Sequence, residues 1–150
     1  MFAYASQKSN LQKVIVADTV DYNNAKTVAV SFGMPQIYAD LTVTALYSNA
    51  STYEARNTIT ITTSIYNQGL RAAGGFYVAL TSTDLAAQAK YISLLALGTV
   101  TNVTFTYTAP QYSADRTITV TTTADSTGAI VESNESNNTR YCGETITVTV

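Results

Sequence analysis

The stretch Asn57–Tyr66, NTITITTSIY, decides the fold of this chain. Ile59, Ile61 and Ile65 fall on one side of a period of two, and Thr58, Thr60, Thr62 and Ser64 fall on the other. That alternation is the signature of a strand with one buried face. Threonine suits the outer side because its β-branched side chain is already restricted about χ1. The pattern recurs in both directions. Leu41, Val43 and Ala45 alternate with threonines, as do Val103, Phe105 and Tyr107, while Phe76, Val78 and Leu80 hold one face of another run. Ile118 and Val120 continue it, and Ile146, Val148 and Val150 close the chain.

Turn signals punctuate these runs. Asn67-Gln68-Gly69 ends the isoleucine strand, Gly74-Gly75 opens the next, Gly98 precedes Thr99–Thr108, and Ala109-Pro110 follows it. Asp125-Ser126-Thr127-Gly128 reads as a tight turn. Thr83–Lys90 (TDLAAQAK) is the one plausible helical turn. Counting Tyr91–Leu95, seven strands are expected from residue 40 onward, in about the length of an immunoglobulin-like domain. The expected fold is all-β, an immunoglobulin-like β-sandwich over residues 38–150.

Residues 1–37 form an expected N-terminal β-arm. It holds two strand-like pieces, Lys13–Val20 and Thr27–Phe32, separated by Asp21-Tyr22-Asn23-Asn24 and followed by the break Gly33-Met34-Pro35. In the second piece Val28, Val30 and Phe32 point one way, and Thr27, Ala29 and Ser31 the other.

Composition removes several functions. The 150 residues include 26 threonines and 11 tyrosines, and only 12% are charged, about half the usual share. With no histidine, Ser-His-Asp and Cys-His nucleophile sets are impossible, as are most zinc sites. The single cysteine, Cys142, makes no internal disulfide, and is read as an inert thiol or a cross-link to another chain. A net charge of −2 and a pI near 4.9 argue against nucleic acid as a partner. No run is apolar enough to span a bilayer as a helix. The start, MFAYASQKSN, lacks the layout of a secretion signal, so either the chain stays inside or its numbering starts after processing; composition favours the second and Met1 counts against it.

From Asp40 to Val150 the chain resembles the CARDB family, an immunoglobulin-like module of bacterial and archaeal cell-surface proteins. The matching features are ADLTV at Ala39–Val43, IYNQG at Ile65–Gly69 and AAGGFYVAL at Ala72–Leu80. ISLLALGTVTNVTFTYTAP at Ile92–Pro110 and RTITVTTTAD at Arg116–Asp125 follow. The most specific is the acidic-amide segment IVESNESNNT at Ile130–Thr139. The resemblance implies a seven-stranded sandwich at the cell exterior, associated with adhesion and surface display and with no enzymatic activity. Tyr141-Cys142-Gly143-Glu144 is an insertion relative to the family pattern.

Four constellations remain. Asp125, Glu132 and Glu135, with Asn134, Asn137 and Asn138, form the densest oxygen group; its chemistry suits calcium, but local capping of the backbone is the favoured reading. Glu132 and Glu135 lack the tryptophan platform that would make them a glycosidase pair. Sequons at Asn49, Asn102, Asn134 and Asn137 are candidate N-glycosylation sites, little above chance in so Asn-, Ser- and Thr-rich a chain. Tyr47, Tyr53, Tyr66, Tyr77, Tyr91, Tyr107 and Tyr112 are either core and edge residues or a sugar-stacking face.

The arm is the most informative feature, because alternating valines are costly to leave in water. One reading folds it onto its own domain. The other is donor-strand complementation, in which the arm completes the sheet of a neighbour, with Val14, Val16, Val20, Val28, Val30 and Phe32 filling a groove. Head-to-tail contacts of this kind do not close and so build a filament. The logic, though not the sequence, is similar to the pili of chaperone-usher systems and the thread filaments of archaea. The expected function is therefore a non-enzymatic subunit of an extracellular filament with itself as partner. The alternative is a cell-surface adhesion or carbohydrate-binding module.

Overall fold

The computed structural model describes residues 5–8, 11–17 and 27–33 as backbone strands, and residues 36–142 and 145–150 in full. The chain divides into two compact units, Met1–Gln36 and Ile37–Val150.

The first unit is an antiparallel meander of β1 (Ala5–Lys8), β2 (Leu11–Ala17) and β3 (Thr27–Gly33), in the order β1-β2-β3. Lys8 pairs with Leu11. The β2–β3 register sets Val14 opposite Val30, Val16 opposite Val28 and Gln12 opposite Phe32. Val20 lies outside the described residues, and the other five expected donor positions are defined by register alone.

The second unit is an immunoglobulin-like sandwich of ten strands, with no helix among the described residues. One layer is β4 (Leu41–Ser48), β6 (Thr58–Asn67) and β9 (Val100–Thr108), ordered β4-β6-β9. The other is built from β7 (Phe76–Ser82), β8 (Gln88–Ile92), β11 (Val120–Thr123) and β12 (Thr139–Tyr141), ordered β12-β11-β7-β8. It is extended by β10 (Arg116–Ile118), β13 (Ile146–Thr149) and β5 (Thr52–Glu54), ordered β10-β13-β5, with β5 parallel to β13. The expected seven become ten because one expected strand is split and β5 and β12 are additional. Thr119 separates β10 from β11, its N–H and C=O engaged by Thr83, and the inserted segment separates β12 from β13.

The deciding stretch behaves as its alternation requires. Ile59, Ile61 and Ile65 are fully buried, each worth about 1.5–3 kcal/mol of burial. Phe76, Val78, Leu80, Val103, Phe105, Ile118, Val120, Ile146 and Val148 join them in one core, whereas Val150 is exposed.

Three local expectations differ. Thr83–Lys90 is not helical: Ser82 Oγ accepts from Asp84 N and Leu85 N in a bend, and Gln88 begins β8. A β-bulge between Val43 and Ala45 reverses the phase of β4, so Leu46 is buried and Ala45 is not. Thr63 occupies a core position on the isoleucine face, its hydroxyl donating to Ala45 O at that bulge (3.1 Å).

Candidate functional site

At one end of the sandwich, two loops close around the backbone that leads into β4. The first loop starts at Asn67, fully buried at the end of β6. Its Oδ1 accepts from Asp40 N (3.2 Å) and Gly69 N (3.1 Å), and its Nδ2 donates to Arg71 O (2.8 Å) and Leu95 O (3.1 Å). All the bonding capacity of that amide near its plane is therefore used, as a buried polar group requires. Gly69 is needed because a Cβ there would lie 2.5 Å from the backbone of Tyr38, Ala39 and Asp40.

The second loop is the acidic-amide segment. It begins with Asp125 at φ 45°, and Gly128 at φ 63° completes the tight turn with a 2.9 Å bond from its N–H to Asp125 O. The Asp125 carboxylate accepts from Ala129 N (2.9 Å) and Ile130 N (2.7 Å). Glu132 then crosses to the other layer. It bridges Ala39, its Oε2 accepts from Leu41 N, and its Oε1 accepts from Asn138 Nδ2 (2.7 Å). Glu135 folds back to accept from Glu132 N (2.9 Å). Ser133 Oγ and Asn137 Nδ2 both donate to the Asp40 carboxylate, at 2.9 and 2.8 Å.

Glu132 is only 7% exposed, and burial pushes its carboxyl up from 4.5 to about 7. The nearby charges of Glu135 and Asp125 raise it further, while the Leu41 N–H and the Asn138 amide pull it down. Two buried oxygens beside this cluster, Asn137 Oδ1 and Asn138 Oδ1, have no hydrogen-bond partner. Asp125, Glu132 and Glu135 thus each serve main-chain donors. Among the described residues no three His, Cys, Asp or Glu side chains converge in a group that could hold a metal ion. A shallow cleft of about 500 Å³ opens beside the cluster between Tyr38, Arg71 and Val131.

The sequons fall into different settings. Asn49, Asn102 and Asn134 are exposed, with their amide oxygens held by Thr60 N, Ser64 Oγ and Ser136 N respectively. The nitrogen that a glycan would take at Asn137 already donates to Asp40. Of the tyrosines, Tyr53 and Tyr107 enter the core. Tyr77 and Tyr91 instead form an exposed pair, ring centroids 5.2 Å apart. Cys142 is half-buried, its thiol 3.8 Å from Leu46 O. Sequence reasoning missed Asn67 and Asp40, whose partners come from distant loops; the IYNQG turn was the only local signal.

The CARDB family model matches residues 38–141, the stretch that contains both loops and all but the last strand of the sandwich. The chain belongs to the CARDB family. CARDB domains are immunoglobulin-like domains of cell-surface proteins, and the solved structures agree with that fold. The CARDB domain of the PF1109 protein of Pyrococcus furiosus, solved in complex with di-metal ions, is 19% identical at a TM-score of 0.63, over 75% of this chain and 90% of that one. A domain of a candidate cell-surface protein of Methanosarcina acetivorans is 28% identical at a TM-score of 0.59, over 74% of this chain and 92% of that one. A β-glucosidase of Erythrobacter marinus is 16% identical at a TM-score of 0.54, over 85% of this chain but 18% of the enzyme. That likeness shows a shared fold and carries nothing of the enzyme's activity. Among proteins of curated function, none matches the chain. No helix among the described residues is long and apolar enough to cross a membrane.

Proposed function

We propose that this CARDB protein is a non-enzymatic structural subunit of an extracellular filament, with the N-terminal unit of one copy supplying a β-strand to the next. The observation that supports this most is the first unit itself. Three antiparallel strands bring Val14 opposite Val30 and Val16 opposite Val28 within a unit of 36 residues. So small a sheet buries too little apolar surface to stand alone in water, and needs a second surface to cover one face. Main-chain pairing along the edge of a neighbour's sheet joins the small sheet to a larger one that already has a covered face, with alternate side chains fixing the register.

Deletion of residues 1–37 tests the reading. The truncated protein is expected to stay monomeric, and a peptide of residues 13–32 to raise its melting temperature. Regular fibres from the truncated protein under negative stain would defeat the proposal. Exposed Asn49, Asn102 and Asn134 are the acceptors proposed for glycans that would solubilise a weakly charged surface; a native intact mass equal to the bare chain removes that part.

A second reading, a cell-surface adhesion or carbohydrate-binding module, is favoured by the exposed Tyr77–Tyr91 pair, whose faces could stack on a sugar ring. It predicts a monodisperse protein that retains glycans on an array and loses them on Tyr91→Ala. Calcium at the acidic-amide loop is a lesser proposal. The unpartnered Asn137 and Asn138 oxygens beside Glu132 support it, as do the metal ions named with the Pyrococcus domain. A melting temperature unmoved by millimolar-range calcium at pH 8 eliminates it.

A further inference from the structure

Strand edges are where a sandwich meets other chains, and this one protects its edges unequally. The ten sandwich strands carry four charged residues: Glu54 on β5, Lys90 on β8, Arg116 on β10 and Arg140 on β12. In the layer built by the sheets ordered β10-β13-β5 and β12-β11-β7-β8, the outer strands are β5 and β8, which carry Glu54 and Lys90, while β10 and β12 end their sheets only where a long strand is interrupted. Charge on an edge strand is a recognised guard against pairing with another chain. The third sheet, β4-β6-β9, has no charged residue on either terminal strand. Of those two, β4 is shielded, its outer side facing Glu132, Asn137 and the Cys142 thiol. Among the described residues, β9 is covered only at its Phe105–Thr106 end, where Gln88 of β8 bonds Thr106 and Lys90 Nζ lies 5.8 Å from the centre of the Phe105 ring.

The hydrogen-bond phase of β9 follows from its partner. Thr60, opposite Thr106, sends both its N–H and its C=O to Asn49, away from β9. Thr60–Thr106 is therefore a non-bonded pair, and by the alternation of an antiparallel ladder the even residues of β9 present their backbone outward. Arg56 and Asn57 bonding to Ala109 agrees with this phase, since it places an odd residue on the β6 side. Among the described residues, one outward group is occupied: Thr106 O accepts from Gln88 Nε2 at 3.0 Å. The N–H and C=O groups of Val100, Asn102 and Thr104 stand open along a strand with no charge, proline or glycine.

We propose that this open edge of β9, centred on Thr104, is the acceptor for β3 of a second copy. The inference rests on the filament reading above and names its acceptor site. β3 is the fitting occupant because it terminates the β1-β2-β3 sheet, runs seven residues without charge (TVAVSFG), and can match the nine of β9. The other terminal strand of that unit, β1, has four residues and carries Lys8.

Two variants test this. Thr104→Pro removes an outward N–H and leaves the β6–β9 ladder whole, since proline is tolerated on an edge strand with that geometry. Thr104→Lys places a charge on the same strand, with Thr121→Lys on β11, an inner strand of the other layer, as the control. Thr104→Pro is expected to raise the concentration needed for polymerisation about tenfold, the effect of losing a main-chain bond per contact, and Thr104→Lys to raise it through the charge set against the incoming strand. Thr121→Lys should leave it unchanged.

The decisive measurement mixes two proteins at a concentration where the wild type polymerises and Thr104→Pro does not. Thr104→Pro keeps the donor and has a weakened acceptor. The chain starting at residue 37 keeps the acceptor and lacks a donor; it is a compact unit by itself, and a cooperative thermal transition is the check that it folds alone before mixing. Together they should form a one-to-one heterodimer by analytical ultracentrifugation. Monomers alone in the mixture overturn the proposal, as do wild-type filaments from Thr104→Pro. If the truncated chain itself polymerises, the filament reading has failed, and not merely its acceptor.

Discussion

Glu132 makes the stability of the sandwich depend on pH in the direction opposite to that of most carboxylates. Its carboxyl titrates near 4.5 when exposed and near 7 in the fold, so the folded chain holds that proton more tightly than the unfolded chain does. Stability is then highest at or below the unfolded value and falls as pH rises to about 7, after which the effect is complete. Integrated between pH 5 and pH 8, those two values give a loss of about 2.5 kcal/mol at 1.36 kcal/mol per tenfold. For a domain of this size the loss corresponds to about 10 °C in melting temperature. Chemical denaturation of residues 37–150 at pH 5, 6, 7 and 8 measures it, alongside Glu132→Gln. The glutamine variant turns one accepting oxygen into a donor facing Leu41 N–H or Asn138 Nδ2, which costs about 1–3 kcal/mol at every pH. It has no charge to lose, so its curve should lack the Glu132 slope. A wild-type curve that is flat or rises from pH 5 to pH 8, or a glutamine curve parallel to it, refutes the reasoning.

Other outcomes follow from the same pole. Asn67→Ala leaves Asp40 N, Gly69 N, Arg71 O and Leu95 O without their partner and is expected to cost about 3–4 kcal/mol in denaturant unfolding. Gly69→Ala forces a methyl to within 2.5 Å of the Tyr38–Asp40 backbone and should cost about 2–3 kcal/mol, while Gly74→Ala, with open space around it, should be nearly neutral. Thr63→Val keeps the core volume but strips the donor from Ala45 O at the bulge, an expected loss of about 1 kcal/mol; Thr62→Val, outside the core, should lose less.

The layers were legible where one face of a strand is buried, because a slip of one residue would turn the whole apolar set outward. Ile59, Ile61 and Ile65 leave no second register. Legibility failed where the pattern is broken by a backbone irregularity. The bulge in β4 exchanges Ala45 for Leu46, and nothing in LTVTALYS marks it. Gln88–Ile92 has a five-residue pattern of mostly exposed side chains, so neither period two nor 3.6 can be read from it. The acidic-amide loop was visible as a composition cluster, but its partner was not. Leu41 lies 91 residues from Glu132, and Asp40 lies 97 from Asn137; no local rule links positions so far apart.

Those distant pairings have a mechanical sense. Every residue from Tyr38 to Leu41 is bonded to one of the two loops. Tyr38 O accepts from Leu70 N and Arg71 N, Ala39 O from Ser133 N, and Asp40 O from Gln68 N. Asp40 N donates to Asn67, and Leu41 N donates to Glu132. This backbone immediately follows the boundary between the two units, so any pull carried along the chain from the first unit enters the sandwich through these bonds. In a donor-strand filament such a pull is continuous from copy to copy. The buried amide of Asn67 and the buried carboxyl of Glu132 would then hold the load where it enters. Weakening either should leave the open edge of β9 competent for pairing while making the joined subunits easier to pull apart.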